Sequence, residues 1–111
     1  MKHPSLLLPA LLCLGFHLAA AASGPDMRKG QRTYLMQCKK CHGVGTKGAA
    51  MKRQEEWDLL FADDASLLRL HHRRTKARAY FEGRKFQDAA APLHRFLHYY
   101  GADSGNVPVC N

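Results

Sequence analysis

Acidic residues are scarce in this chain. Over 111 residues, 9 Asp and Glu stand against 17 Lys and Arg, and the formal net charge is +8. Apolar residues reach 46%, so the charge imbalance does not amount to disorder. Convincing strand patterning is missing as well. Without a βαβ unit around a cysteine pair, a thiol oxidoreductase of the thioredoxin kind is disfavoured. Cysteines are few, at positions 13, 38, 41 and 110. No methionine follows Met51, and no internal repeat is visible. The length allows one small domain.

What is present begins with an export signal. Residues 1–22 combine Lys2, the apolar run LLLPALLCLGFHL and a stretch of small residues, the layout of a secretory signal peptide cut after Ala22. The run is short for a span, contains Pro9 and ends in small residues, so no stable membrane insertion is expected after cleavage. Leu12 precedes Cys13 where a lipid-anchor site wants a small residue. The expected mature domain is 23–111, in the periplasm. It keeps Cys38, Cys41 and Cys110, an odd number whose close pair is a poor structural staple, which argues against a disulfide framework. Such a domain is small for a chain without a disulfide web, and a large covalent cofactor would supply the apolar core it lacks.

The pattern along the domain predicts an all-α fold with four helical segments. The first covers 26–38, with Pro25 suited to a helix start. The second covers 52–62, with Trp57, Leu60 and Phe61 as its apolar stripe. The glycine-rich stretch GVGTKGAA between them reads as a loop. The third begins at Asp64 as N-cap and runs through SLLRLHHRRTKARAYF to a break at Gly83. The fourth places Leu93, Phe96, Leu97 and Tyr100 at i, i+3, i+4 and i+7, with Pro92 in its first turn and Gly101 at its C-terminal cap. The tail 102–111 has no periodicity.

Residues 38–42 read CKKCH. Two thiols three positions apart can add across the vinyl groups of one haem, and the histidine that follows then sits under the iron. Combined with export, this makes Cys38 and Cys41 the expected thioether anchors of haem c and His42 the proximal iron ligand. The stretch GQRTYLMQCKKCH resembles the signature of class I cytochromes c, glycine, aromatic, Cys-x2-Cys-His, carried here by Gly30, Tyr34, Cys38, Cys41 and His42. PLHRFLHYY resembles that family's C-terminal helix. The resemblance implies a small cytochrome c-like bundle of about four helices around one covalent haem. It implies a soluble, non-enzymatic electron carrier, with Gly30 and Tyr34 at the crossing of the first and last helices.

The distal methionine that the family places late in the chain is absent. Met51 follows His42 by too few residues to cross the ring edge, so it is read as a wall of the site, with ligation as a weaker alternative. At about 100° per residue, Leu67, Leu68 and Leu70 define an apolar direction that His71 follows within roughly 35°, whereas His72 lies roughly 135° away. His71 is therefore the first distal candidate and His72 the second, with Lys85 or an open position behind them. A second imidazole leaves the reduction potential lower than methionine does.

His94 and His98 stand four apart with no carboxylate suggested nearby, and read as solvated helix surface. Arg28, Lys29, Arg32, Lys39, Lys40, Lys47, Lys52 and Arg53 crowd the motif, which predicts redox partners with an acidic docking face. HHRRTKAR raises a nucleic-acid reading that export and the absence of a recognition fold disfavour. The expected state is a monomer, with a Cys110-linked dimer as an alternative. Other readings of the motif are a haem protein that binds or senses small ligands, a haem subunit of a larger redox enzyme, and a zinc-binding module that lacks a second ligand pair of standard spacing.

Overall fold

The computed structural model describes residues 24–109, and all of its regular structure is helical. The expected signal peptide and Cys110 lie outside these residues. No helix among them is long and apolar enough to cross a membrane.

Helix α1 spans Pro25–Thr33, with proline at its start and Asp26 in its first turn, where the helix dipole favours a negative charge. It continues without interruption into one π-helical turn, Tyr34–Cys38, closed by a bond from the Lys39 N–H to the Tyr34 carbonyl. Helix α2, Lys39–His42, completes the rod. Gly43 stops it with a φ of 83°, a conformation that suits glycine. The glycine-rich stretch expected to be loop holds a short helix, α3, Gly45–Ala49.

Helix α4 runs Gln54–His72 and is kinked where the sequence predicts a break between two helices. Asp63, Asp64 and Ala65 all have φ between 51° and 55°. Aspartate tolerates this left-handed region better than alanine does, and Ala65 is buried there. Asp64 does not act as the predicted N-cap. Its carbonyl and carboxylate instead accept from Arg69 Nε at 2.8 Å and Nη2 at 3.3 Å, with the guanidinium lying over Phe86.

The third predicted helix also ends early. The Thr75 hydroxyl donates to the His72 carbonyl at 2.8 Å and accepts from the Ala77 N–H, turning the chain after His72. A separate helix, α5, follows at Arg78–Glu82. The last helix, α6, spans Arg84–Tyr99, so Pro92 lies inside it and not in its first turn. A proline there leaves the carbonyl four residues back without its helical donor. Lys29 Nζ of α1 donates to that carbonyl, on Asp88, at 3.2 Å.

The main packing is α1 against α6. A side chain on Gly30 would place its Cβ 2.1 Å from the Pro92 carbonyl oxygen and 2.8 Å from Phe96 Cβ, so the two backbones meet there. Tyr34, Phe86, Leu93 and Phe96 are fully buried, with Phe96 at this crossing and Phe86 against Tyr80 and Phe81. The tail caps α4, since Asp103 Oδ1 accepts from the Gln54 N–H at 2.8 Å. A Cβ on Gly101 would come within 3.0 Å of the Gln54 N and Cγ, so the tail packs tightly against the start of α4.

Candidate functional site

Behind the α1–α6 crossing lies a cavity of about 540 Å³. Cys38, Cys41 and His42 line one side of it, from the π turn and α2. His72 and Leu68 of α4 and Phe81 of α5 line another, and Trp57, Leu60, Leu93 and Leu97 complete an apolar interior. Its size falls within the range of pockets that hold cofactors and small ligands, roughly 300–1,000 Å³.

Two hydrogen bonds shape the wall. The buried Tyr34 phenol donates to the Gly43 carbonyl at 2.7 Å, tying the turn after His42 back to the helix. Burial, and then the nearby Cys38 thiol, push this phenol up to about 12. Trp57 Nε1 donates to the Ala49 carbonyl at 2.8 Å and fixes α3 beneath α4. Gly48 is obligatory in α3, because a Cβ would fall on the Tyr34 ring.

Cys38 is half-buried, Cys41 is exposed, and both are free thiols. Burial, helped by Cys41, pushes the Cys38 thiol up to about 12. Burial also lowers the His42 pKa from the usual histidine value, with the neighbouring His72 adding to the effect.

His42 and His72 both line the cavity and lie close to one another. Their ring centres are 6.0 Å apart and their planes cross at 76°. The His72 Nδ1 sits 2.7 Å from the Leu68 carbonyl. A carbonyl can only accept, so Nδ1 carries a proton, and in the neutral ring Nε2 keeps its lone pair, the tautomer that a metal-binding imidazole needs. Phe81 holds the ring from one side, at 4.5 Å between centres.

The predicted direction of the helical face is corrected here. Leu67 and Leu70 are 43% and 49% exposed, and only Leu68 turns inward, at 7%. His71 is therefore exposed at the cavity rim, and His72, predicted to lie nearer solvent, is half-buried inside. The usable signal was the i, i+3, i+7 series Ala65, Leu68, His72. Met51 lines the rim and is 44% exposed. Lys85 does not line the cavity, and lies in the first turn of α6.

The lining is apolar, with two imidazoles and two thiols among its residues, side chains that could hold a metal-bearing group. Two imidazoles that each bind one ion through a nitrogen at about 2 Å hold their ring centres on the order of 6 Å apart. The His42–His72 separation meets that requirement, and the two thiols lie along the same cavity. A zinc site built from these residues is less well supported. Among the described residues, the group of three ligating atoms that converge to within 4.8 Å of one another lies elsewhere, at Asp58, His94 and His98. The eight basic residues around the motif are all exposed, and no acidic residue occurs between Asp26 and Glu55.

Compared with protein-family models, with curated proteins and with solved structures, the chain gives no match.

Proposed function

We propose that this chain is an exported carrier of single electrons, binding one haem c through Cys38 and Cys41 and working in the periplasm without a substrate of its own. The observation that carries the reading is the close His42–His72 pair in an apolar cavity that both cysteines also line. Bound there, haem would supply a one-electron iron couple.

The chain's own residues would do the rest. His42 and His72 would each offer one nitrogen to hold the iron, the second oriented by its bond to Leu68. His71 and Met51, both at the rim, rank behind His72 as ligands. Leu60, Leu68, Leu93, Leu97 and Phe81 would exclude water from the ring faces, a condition for stable low-spin ligation. The exposed lysines and arginines beside the attachment motif would steer an acidic partner toward that edge, most effectively at low ionic strength. Two protein ligands leave no open position, which favours electron transfer over the binding of small molecules.

The test is expression with haem-attachment machinery, followed by an acid-acetone wash and a pyridine haemochrome spectrum. Retained haem with a c-type spectrum is expected, and colourless protein would refute the reading. His72→Ala should convert a low-spin spectrum to one that responds to carbon monoxide, whereas His71→Ala should leave it unchanged. The opposite pattern would return the ligand role to His71.

A further inference from the structure

His94 and His98 stand four apart on α6, a spacing that by itself reads as solvated surface. The fold brings Asp58 of α4 between them, the carboxylate that the linear sequence does not place there. One oxygen, Oδ1, accepts from His94 Nε2 at 2.6 Å and from His98 Nδ1 at 2.8 Å. The three ligating atoms all lie within 4.8 Å of one another. The His94 ring is held by stacking on Phe61, 4.7 Å between centres and 6° from parallel. All three side chains keep substantial solvent access.

We propose that Asp58, His94 and His98 form a binding site for a divalent transition-metal ion of the zinc and copper class, with its remaining positions filled by water. Two imidazole nitrogens and one carboxylate oxygen suit these borderline ions. Magnesium and calcium instead prefer sets made only of oxygen. Three protein ligands with free positions are also an arrangement that zinc accepts readily. Coordination requires lone pairs where the two nitrogens now carry protons. A ring that coordinates through these atoms keeps one proton, on Nδ1 of His94 and on Nε2 of His98, and any proton beyond that leaves to solvent. The ion replaces two hydrogen bonds by three coordination bonds and clamps α4 to α6. Those helices turn Trp57, Leu60, Leu93 and Leu97 into the cavity on their other faces, so the clamp braces the cavity walls from outside.

This site is independent of the haem reading, and the experiment keeps the two apart. Zinc is titrated calorimetrically into the mature chain and into Asp58→Asn, His94→Ala and His98→Gln. Any ion taken up at Cys38 and Cys41 is common to all four proteins and cancels. The wild type should bind one equivalent that each variant loses or binds at least about 100-fold more weakly, since even ligand-supporting partners are worth about 10–100-fold. Magnesium should give no such equivalent. Zinc should also raise the melting temperature of the wild type more than that of the variants. Equal zinc uptake in wild type and variants, or an equal rise in melting temperature, overturns the proposal. Circular dichroism checks folding. Should His94→Ala unfold through loss of the Phe61 stack, Asp58→Asn and His98→Gln decide.

Discussion

Gly30→Ala sets two physical effects against each other, and the sign of the result tells which one governs the fold. Gly30 lies inside α1, where alanine is the better helix former by about 1 kcal/mol. Helix propensity alone therefore predicts a more stable protein. Packing predicts the reverse. The added Cβ would sit 2.1 Å from the Pro92 carbonyl oxygen and 2.8 Å from Phe96 Cβ, against comfortable separations of about 3.5–4.0 Å. Neither neighbour can swing away, because one is backbone and the other is anchored to it. The α1 and α6 axes must therefore part by on the order of 1 Å, loosening the contacts of Tyr34, Leu93 and Phe96. Overpacking of a rigid core costs about 1–3 kcal/mol, occasionally more, and this site belongs at the upper end. After the propensity gain, a net loss of about 1–3 kcal/mol is expected. With a urea slope of about 1–3 kcal/mol/M, the midpoint should fall by about 1 M at unchanged slope. Urea unfolding followed by circular dichroism measures it. A midpoint equal to or above that of the wild type would show that the α1–α6 contact does not limit stability.

Tyr34→Phe removes the donor to the Gly43 carbonyl and should cost about 1–2 kcal/mol. The same residue sets an alkaline limit. Its phenol is raised to about 12 in the folded chain and ionises near 10 when unfolded, so its contribution is full below about pH 10 and lost as pH rises through about 12. An alkaline absorbance titration should therefore lose its latest-ionising tyrosine in the variant, and an unaltered curve would count against the burial argument. Lys29→Met should cost less than about 1 kcal/mol, because Asp88 is exposed and water can serve its carbonyl. In a Pro92→Ala background, where residue 92 again has an N–H to offer, the cost should vanish. A double-mutant cycle by thermal melting reads that coupling, and a cost unchanged in the second background would break the link between the two residues.

Much of the all-helical fold was legible because it rests on local physics. Apolar spacing in the last helix and the Pro25 start each act over a few residues. Boundaries were less legible. Pro92 reads as a first-turn residue because the local pattern does not show that the Asp88 carbonyl it orphans is exposed and can accept from Lys29 or water. Thr75 ended a helix that periodicity would have carried on, through bonds to its own neighbours that no apolar pattern records.

The grouping of Cys38, Cys41 and His42 is set by the sequence itself, since residues no more than four apart on a helical rod stay together whatever surrounds them. The all-helical class follows from the sequence for the same local reason. Which histidine lies close to His42 is a different kind of fact. It depends on the direction in which α4 leaves its kink at 62–65, and a rotation of one residue exchanges His71 for His72. Asp58 reaching His94 and His98 depends on two helices meeting across 36 residues of chain. Those matters were decided only when the core closed, because burial of Leu68, Leu93 and Phe96 fixes helix rotations that propensity leaves free.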